Sequence, residues 1–471
     1  MRLSGLVSFF RPLPPKPVVL PAAEVDRRFR RFRFQEVATM TVAYAIFYVC
    51  RLAFSATKKD MIEQGLYTTD ELGYVGSAML VAYGIGKCFN GFLADRANIR
   101  RFMAFGLFVS AVANFLVGFH LPAACLAALW FVNGIAQSTG APSAVVGLSR
   151  WFAKRERGTY YGIWSCSNNL GEALAYILTA VIMVWAGRLF GADWAWRSGF
   201  WGASAMGIAG IALILAFYRD SPQSEGLPSV AEWRREPVDA DEARAAGDVN
   251  LGQRIALRSW AVWMIALSGL FFAMSRYAII DWGIYFLQVK KGYATGLAAS
   301  IVSVNSIVGG ISSAASGWVS DRFFKGNRNM LALAFGLMNV VSLCLFMLVP
   351  GRHLWLDVTA MVLFGTAMGV LLCFLGGLMA VDLVPRVAAG AAMGIVGIVT
   401  YAGASLQSVV SGYLIQSGDG GKMSAQFLGV AFDAFGRRFS VDYIALYWIG
   451  MALLSVLCAL SVWRAKRRDV L

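Results

Sequence analysis

Histidine and clustered metal ligands are almost missing from this 471-residue chain, and each shortage excludes a class of function. The two histidines, His120 and His353, lie near the ends of apolar stretches, so no histidine-based metal centre is available. The seven cysteines are spread singly without a CxxC pair, which is typical of small packing residues rather than of a disulfide framework. A phosphate-binding glycine loop is also missing from the sequence. We therefore predict a protein that is not an enzyme and needs no cofactor or metal.

Charge is scarce as well, because charged residues make up 15% of the chain and hydrophobic residues 58%. A water-soluble domain exposes more charge than this. Apolar stretches of about 20 residues recur along the whole length, and each is long enough for a helix to cross a bilayer. The sequence predicts an all-α polytopic membrane protein, with the lipid bilayer as a partner. The twelve predicted spans are 37–56, 71–94, 102–120, 122–149, 158–186, 194–218, 259–287, 294–319, 329–349, 354–381, 387–416 and 440–463.

The net charge of +15 does not indicate a nucleic-acid partner, because the basic residues are sorted to one side of the predicted spans. Apart from the two termini, they concentrate in the loops 95–101 and 150–157, in the segment 219–258 and in the loop 321–328. By the positive-inside rule this side is cytoplasmic, and an even number of spans also places both termini there.

One long polar stretch divides the predicted spans into six and six. We expect five regions along the chain. They are a basic cytoplasmic segment (1–35), an N-terminal six-helix bundle (36–218), a cytoplasmic linker (219–258), a C-terminal six-helix bundle (259–463) and a cytoplasmic tail (464–471).

The two halves carry the same landmarks at a nearly constant offset. Tyr67, Gly91, Asp95 and Arg96 recur 226 residues later as Tyr293, Gly317, Asp321 and Arg322, and Arg51 recurs 225 residues later as Arg276. Five matches at one offset indicate duplicated, pseudo-symmetric bundles. Transporters of this build bind their substrate at the repeat interface near the membrane midplane and expose it alternately to the two sides.

The loop after the second span has the spacing GxxxDRxxxRR, and a shorter copy follows the eighth span. The glycine permits close contact between helices, and the aspartate can pair with arginine and cap a neighbouring helix. We predict that these residues latch a cytoplasmic gate. They are Gly91, Asp95, Arg96 and Arg101 in the first half and Gly317, Asp321 and Arg322 in the second.

Arg51 and Arg276 lie deep inside apolar spans 1 and 7. A guanidinium stays protonated, and a charge at membrane depth is costly unless it faces a polar cavity or a charged partner. Tyr44 and Tyr48 precede Arg51 at positions i and i+4 of an i, i+4, i+7 pattern, which places all three on one helical face. Paired cations in the two halves predict a site for a doubly charged anion such as phosphate, which arginine binds with two hydrogen bonds.

Five further side chains are candidates for substrate binding. Lys87 in span 2 is either a third cation of the cavity or a side chain that reaches the membrane surface. Trp164, Asn168 and Glu172 lie in span 5, where Glu172 is either a charge partner that the substrate displaces or one half of a structural ion pair. Tyr401 in span 11 offers a hydroxyl to the substrate or serves in packing.

Several motifs together resemble the organophosphate:inorganic phosphate antiporter family of the major facilitator superfamily, which includes glycerol-3-phosphate, hexose-phosphate and phosphoglycerate transporters. The resemblance extends over essentially the whole chain after residue 35. The motifs are Tyr44-x3-Tyr48-x2-Arg51, Ala82-Tyr83-Gly84-x2-Lys87, Lys154-Arg155-Glu156-Arg157-Gly158, Trp164-x3-Asn168-Asn169-x-Gly171, Arg219-Asp220-Ser221-Pro222-Gln223-Ser224-x-Gly226-Leu227-Pro228 and Arg276-Tyr277-x3-Asp281-Trp282.

The resemblance implies a fold of two six-helix bundles around a central cavity, in a monomer of the bacterial inner membrane. It implies that Arg51 and Arg276 clamp the phosphate group. It also implies that an external organic phosphate is exchanged for internal inorganic phosphate. The other implied binding residues are Lys87, Tyr44, Tyr48 and Tyr401.

Four positions depart from the family pattern. Asn168 replaces the histidine of the glycerol-3-phosphate branch, and Val146 replaces an arginine after the segment that begins at Gly140. Ser306 replaces a glutamate of span 8, whereas Glu172 stands where the family usually has glycine. These departures leave the organic part of the substrate open, with a slight preference for hexose phosphates.

The leading hypothesis is an antiporter of an organic phosphate, either a sugar phosphate such as hexose 6-phosphate or glycerol 3-phosphate. Two alternatives stay open. Some relatives of the hexose-phosphate transporters are sensors that report ligand occupancy to a membrane kinase, which would then be a partner. The departures also allow a transporter of a different organic anion.

Overall fold

In a computed structural model of the protein, the residues described are 9–18, 20–236, 245, 248–293, 295–324, 328–416, 429–434 and 437–463. Parts of the predicted N-terminal segment and of the predicted linker lie outside these ranges, as does the whole predicted tail 464–471. Within the ranges all regular secondary structure is helical except for one antiparallel hairpin. Its strands are β1 (Gly429–Ala434) and β2 (Arg437–Asp442), and Gly429 pairs with Asp442.

The chain divides into two compact units. Unit 1 comprises Met1–Arg258 and Val384–Ile395, and unit 2 comprises Ser259–Leu383 and Val396–Leu471. The division at Arg258 coincides with the predicted start of the C-terminal bundle. The short segment from Val384 to Ile395, however, belongs to unit 1 although it lies in the second half of the sequence.

Unit 1 is built from helices that cover the first six predicted spans, followed by two short helices of the linker. The helices of unit 1 are α1 (Ala22–Glu63), α2 (Thr69–Asp95), α3 (Ile99–Val117), α4 (Ala123–Gln137), α5 (Gly140–Trp151), α6 (Arg157–Ser165), α7 (Ser167–Phe190), α8 (Ala192–Phe217), α9 (Val230–Arg234) and α10 (Val249–Arg258).

Unit 2 is built from helices that cover the last six predicted spans. They are α11 (Trp260–Lys291), α12 (Thr295–Phe323), α13 (Arg328–Leu348), α14 (Leu354–Cys373), α15 (Met379–Asp382), α16 (Ala389–Gln416, whose first residues lie in unit 1) and α17 (Tyr443–Ser461). A π-helical turn at Phe374–Leu378 joins α14 to α15, and Gly377 accommodates its backbone at φ 151°. Glycine adopts a positive φ at little cost, whereas other residues are strained there.

Nine helices in the described ranges are long and apolar enough to cross a membrane. The predicted spans 71–94, 122–149 and 294–319 are helical but are not among the nine. In spans 71–94 and 294–319, glycine and polar residues lower the hydropathy, whereas span 122–149 is divided into α4 and α5, which are each too short to cross a membrane. Small residues suit helices that pack closely inside a bundle, where van der Waals contact replaces contact with lipid.

The helix pairings within the two units repeat. In unit 1, α2 packs on α4, α3 on α8, and α1 on α8. In unit 2, α12 packs on α14, α13 on α17, and α11 on α17. Each pairing joins the same two members of a six-span series, so the repeat in the sequence corresponds to a repeat in packing.

Two predicted boundaries were wrong. Helix α1 begins at Ala22, well before residue 37, and its first turns pack on linker helix α9: the Phe29 ring stacks on Trp233 with centroids 4.3 Å apart. The last span starts at Tyr443, since the residues before it form β2.

Spans 4 and 5 were predicted as continuous but are each interrupted, at 138–139 and at Cys166. Hydroxyl side chains donate back to the preceding turn at both breaks. Ser138 Oγ lies 2.6 Å from the carbonyl oxygen of Ile135, and Ser167 Oγ lies 2.5 Å from that of Trp164. Such bonds compete with the helical hydrogen bonds of the backbone and often bend a helix.

Candidate functional site

The ring of Tyr83 lies next to two cations in unit 1. The Arg51 guanidinium carbon is 4.2 Å from the ring centroid, and Lys87 Nζ is 5.8 Å from it. Arg51 belongs to α1, whereas Tyr83 and Lys87 lie one turn apart on α2. Because Tyr83 is buried, Arg51 points at a neighbouring helix and not into lipid. The negative face of the phenol ring stabilises a cation at this distance.

The remaining aromatic residues predicted on span 1 and span 5 join the same cluster. The hydroxyl oxygens of Tyr44 and Tyr83 are 3.4 Å apart. The Tyr44 ring centroid lies 5.7 Å from that of Tyr48 and 5.1 Å from that of Trp164. Tyr44 is only 5% exposed, so it belongs to the bundle interior and not to an aromatic belt at the membrane surface.

We call Arg51, Lys87, Tyr44, Tyr48, Tyr83 and Trp164 the cationic cluster of unit 1. Five of these six residues were predicted from the sequence. Tyr83 was missed as a site residue, although its position four residues before Lys87 puts both side chains on one face of α2. Phenol hydroxyls, a guanidinium and an ammonium make the cluster rich in hydrogen-bond donors and positive charge.

Asn168 and Glu172 follow Trp164 along the next helix, α7. Asn168 is half-buried and Glu172 is exposed. Exposed apolar side chains such as Leu170 and Leu174 mark one face of α7. Glu172 is two residues from each, about 200° around the helix, so it lies on the opposite face. Among the described residues no basic nitrogen lies within 4.0 Å of its carboxylate, and its role as a charge partner stays a prediction.

Arg276 on α11 and Tyr401 on α16 are the predicted binding residues of unit 2, and both are half-buried. The Arg276 guanidinium carbon lies 5.7 Å from the ring centroid of Tyr277. In the described part of the chain no carboxylate lies within 4.0 Å of Arg276. Its neighbour Ser275 accepts a hydrogen bond of 3.0 Å from Asn339 Nδ2, which fixes this part of α11 against α13.

The predicted gate residue Asp95 caps the N-terminus of α16. Its two carboxylate oxygens accept hydrogen bonds from the backbone N–H groups of Gly390 (2.7 Å) and Ala391 (2.9 Å). The first N–H groups of a helix have no partner within the helix, and its N-terminus carries a partial positive charge. A carboxylate at this position gives these N–H groups a partner and places negative charge at the positive end of the helix. Capping of a neighbouring helix is one of the two roles predicted for the aspartate of the motif.

Glycines bring α2 and the start of α16 into backbone contact at this cap. A Cβ atom on Gly91 would lie 2.8 Å from the Cα of Gly394 and would also fall on the carbonyl oxygen of Gly390. A Cβ on Gly394 would lie 2.9 Å from the carbonyl oxygen of Cys88. Only glycine permits this approach, so Gly91 has the packing role predicted for it.

The arginines of the first-half motif contact the linker and the N-terminal segment. Arg96 donates hydrogen bonds of 2.7 Å to the side-chain oxygens of Asn250 and Gln253 on α10. Gln253 Nε2 in turn donates to Asp95 Oδ2 at 3.2 Å. Arg101 donates to the carbonyl oxygen of Phe9 at 2.8 Å. The linker helix α10 is thereby attached directly to Asp95.

The second-half copy of the motif uses its aspartate differently. Asp321 Oδ1 lies 3.7 Å from a guanidinium nitrogen of Arg328, which also pairs with Asp382. Gly317 is buried and Arg322 is exposed. Pairing with arginine, one of the two predicted roles, is therefore found at Asp321, whereas Asp95 takes the capping role.

Burial raises the pKa of Asp95 from its ordinary value near 3.8 to about 7. The hydrogen bonds from Gly390, Gln253 and Ala391 favour the ionised form and only partly offset the loss of water. The cap therefore exchanges a proton near neutral pH.

In the part of the chain that the structure describes, no three His, Cys, Asp or Glu side chains are arranged to hold a metal ion.

Comparison with known proteins gives one family over most of the chain: residues 40–408 match the Major Facilitator Superfamily. The chain is 30% identical over 410 residues to the membrane sensor protein UhpC of Salmonella typhimurium, covering 85% of this chain and 89% of that protein. It is 31% identical over 443 residues to the glycerol-3-phosphate transporter of Haemophilus influenzae, covering 86% and 91%. It is 28% identical over 477 residues to a probable hexose phosphate transport protein of Chlamydia pneumoniae, covering 97% of each.

Among solved structures, the crystal structure of the Major Facilitator Superfamily transporter FucP matches with a TM-score of 0.64. It is 12% identical and covers 90% of this chain and 98% of that one. At this identity the match supports the fold alone.

Proposed function

The chain belongs to the Major Facilitator Superfamily of membrane transporters, and we propose that it exchanges an organic phosphate for inorganic phosphate across a bacterial inner membrane. The organic phosphate is a sugar phosphate, such as hexose 6-phosphate, or glycerol 3-phosphate. The observation that supports this most is the cationic cluster of unit 1, in which Arg51 and Lys87 flank one buried tyrosine ring. The names of two similar proteins, a glycerol-3-phosphate transporter and a hexose phosphate transport protein, support the same substrate class.

We assign the phosphate group to Arg51 and Arg276, one from each half of the sequence. Each guanidinium offers two parallel N–H donors to a phosphate dianion, and Lys87 adds a third positive charge. Tyr44, Tyr48 and Tyr401 supply hydroxyl donors. In the absence of substrate the positive charges repel one another, and a bound dianion removes that repulsion.

The coupling of influx to efflux follows from this charge balance. A ligand shifts a conformational equilibrium only by its difference in affinity between two states, so the arginines must bind phosphate more tightly in the closed intermediate. The Asp95 cap then holds the cytoplasmic gate until the loaded protein changes state. We further propose that both termini are cytoplasmic and that the protein acts as a monomer.

Glu172, Trp164 and Asn168 are assigned to the organic part of the substrate. Glu172 is exposed on the face of α7 opposite its apolar face, and a carboxylate there accepts hydrogen bonds from sugar or glycerol hydroxyls. Asn168 lies one turn earlier on α7, and its side-chain amide supplies both a hydrogen-bond donor and an acceptor.

The test is uptake of labelled phosphate into phosphate-loaded proteoliposomes, with glycerol 3-phosphate, glucose 6-phosphate and 3-phosphoglycerate as competitors. We expect counterflow that at least one organic phosphate inhibits. Arg51→Lys and Arg276→Lys each lose most of the activity, because a point charge does not replace a bidentate fork. The matched control is Arg188→Lys, an exposed residue near the end of α7, which leaves exchange unchanged. Normal exchange in Arg51→Lys would remove that residue from the site.

A second candidate function is sensing, which the similarity to the membrane sensor protein UhpC favours. In that case the same residues bind a sugar phosphate, and occupancy is passed to a membrane kinase. Saturable binding of glucose 6-phosphate without measurable counterflow would identify a sensor. Absence of both binding and counterflow for all the phosphates would instead indicate a different organic anion.

A further inference from the structure

A second group of basic side chains lies in unit 1, outside the cluster assigned to transport. A cavity of about 450 Å³ is lined, among the described residues, by 153–156 and 234–236. We call it the linker cavity, because one wall is the loop between spans 4 and 5 and the other is the end of linker helix α9. Its volume falls in the range of small-molecule sites.

The two carboxylates of the linker cavity are already engaged. Glu156 pairs with Arg33 (2.5 Å) and with Arg234 (3.1 Å). Glu236 pairs with Arg386 and accepts a hydrogen bond of 2.9 Å from the backbone N–H of Lys154. Both acids therefore hold the walls together and contribute little negative charge to the space between them.

The basic side chains of the lining are in excess. Lys154 and Arg155 extend from one wall, and Arg234 and Arg235 extend from the other. Arg155 and Arg235 are exposed, so their guanidinium groups can turn into the cavity. Like charges that face each other across a narrow space repel one another. An anion between them attracts both sides and so offsets that repulsion.

Arg235 occupies a backbone position that favours glycine. It ends α9 with φ 51° and ψ 45°, in the left-handed region where a side chain is disfavoured. A glycine would form this helix end with less strain. A residue held in this region of the backbone map at the edge of a cavity is a candidate for a functional role.

We propose that the linker cavity binds a phosphate-bearing anion, which bridges Lys154 and Arg155 on one wall and Arg234 and Arg235 on the other. The anion is either a soluble phosphate or the headgroup of an anionic lipid, since both present the same oxygens to arginine. The site is separate from the transported substrate and does not depend on which anion is carried.

Binding at the linker cavity is connected to the gate by two short steps. Glu236 in the cavity wall pairs with Arg386, which is the first residue of the turn Arg386–Ala388. The next residues, Gly390 and Ala391, donate the hydrogen bonds that Asp95 accepts. An anion that holds Arg234 and Arg235 against the opposite wall keeps Glu236 on Arg386 and so stabilises the latched gate.

The test is calorimetric titration of inorganic phosphate into the full-length protein in phosphatidylcholine nanodiscs. To remove binding at the transport site, the protein carries Arg51→Gln and Arg276→Gln. We expect a residual isotherm that Arg155→Gln together with Arg235→Gln weakens at least tenfold. The matched control Arg31→Gln removes one exposed positive charge of α1 and leaves the isotherm unchanged.

Arg235→Gly separates binding from folding. Glycine relieves the left-handed backbone, so we expect an equal or higher melting temperature together with weakened phosphate binding. If the Arg51→Gln, Arg276→Gln protein shows no isotherm, or if Arg31→Gln weakens it as much as the cavity variants do, the linker cavity is not an anion site. That failure leaves the proposed transport function untouched, because exchange is measured separately in proteoliposomes.

Nanodiscs that contain phosphatidylglycerol distinguish the two sources of the anion. If the lipid headgroup occupies the linker cavity, phosphatidylglycerol lowers the apparent affinity for inorganic phosphate, and Arg235→Gly abolishes that competition. If the affinity is the same in both lipids, the site takes a soluble phosphate.

Discussion

Asp95 Oδ1 lies 2.7 Å from the backbone nitrogen of Gly390, although 295 residues separate them in the chain. The bond joins the end of α2 to the first turn of α16. Because the donor belongs to a helix N-terminus, the contact is stronger than a bond between neutral groups whenever the Asp95 carboxylate is ionised. Four predictions follow: two concern this cap, and one each concerns the Tyr83 ring in unit 1 and a buried ion pair in unit 2.

Asp95→Asn should loosen the contact between α2 and α16. The amide keeps the shape of the side chain but loses its charge, and its NH₂ group cannot accept a bond from a backbone N–H. Loss of a hydrogen bond to a charged group costs roughly 1.5–3 kcal/mol, which corresponds to about a tenfold or larger change in gate opening. The readout is the rate at which maleimide labels Cys88, whose backbone meets Gly394, in a protein without the remaining cysteines.

The matched control for this variant is Asp321→Asn. Its carboxylate pairs with Arg328 and makes no part of the α2–α16 contact, so labelling of Cys88 should not change. A Cys88 rate in Asp95→Asn equal to that of the parent protein would show that the cap does not hold the gate.

The stability of the protein should depend on pH through Asp95. Its pKa is about 7 in the folded protein, against 3.8 for an ordinary aspartate, so the folded state binds the proton more tightly than the unfolded state does. The free energy of unfolding contributed by this group is therefore highest below pH 3.8 and falls as pH rises towards 7. We expect the melting temperature of the parent protein, relative to that of Asp95→Asn, to rise on acidification from pH 8 to pH 5. A difference that is independent of pH would contradict the raised pKa.

Tyr83 should contribute to transport through its ring more than through its hydroxyl. Tyr83→Phe keeps the aromatic face beside Arg51 and Lys87, so exchange should fall only a few-fold. Tyr83→Leu removes that face, and a loss of roughly 0.5–2 kcal/mol lowers the rate by up to about thirtyfold. Both are measured as phosphate counterflow in proteoliposomes. The control is Tyr74→Leu, at a 74% exposed position of the same helix, and equal losses in all three variants would rule out a specific role for the ring.

Breaking a buried ion pair in unit 2 should lower the free energy of unfolding strongly, whereas replacing the whole pair by apolar residues should lower it little. Lys291 pairs with Asp357, which also accepts a hydrogen bond of 2.7 Å from the Tyr293 hydroxyl, and both charged side chains are at most 3% exposed. Asp357→Asn leaves Lys291 as an uncompensated buried charge, which costs about 3–5 kcal/mol. We expect the triple change Lys291→Met, Asp357→Leu, Tyr293→Phe to recover most of that loss.

The measurement is unfolding in detergent followed by circular dichroism. The control is Lys290→Met, which breaks a more exposed pair with Asp442 and should cost at most about 1 kcal/mol. If Asp357→Asn proves no more harmful than Lys290→Met, the buried pair is not a structural element of unit 2.

The cationic cluster of unit 1 shows which parts of the candidate site can be predicted from residue spacing along one helix. The i, i+4, i+7 spacing places Tyr44, Tyr48 and Arg51 on one face of α1, and the structure confirms that they lie together. Tyr83 was not selected because aromatic residues are common in apolar spans, and only its position beside Arg51 distinguishes it. Residue spacing predicts which side chains share one face of a helix. It does not predict which neighbouring helix that face contacts.

The breaks in spans 4 and 5 illustrate a second limit. Their apolar patterns continue through residues 138–139 and 166, so hydropathy alone predicts unbroken helices. The interruption comes from serine and threonine hydroxyls that bond to the preceding turn, a competition whose outcome depends on the neighbouring helices.

By itself, the sequence determined the membrane class, the order of the long apolar helices, the repeat between the two halves and the residue types able to hold an anion. Apolar length, charge asymmetry and helical period are local properties of the chain, and they are sufficient for those conclusions. The tertiary structure alone decided that Asp95 caps α16 while Asp321 pairs with arginine, and that Tyr83 lies beside Arg51. These outcomes depend on contacts between residues far apart in sequence, whose geometry is fixed by packing and not by the local sequence.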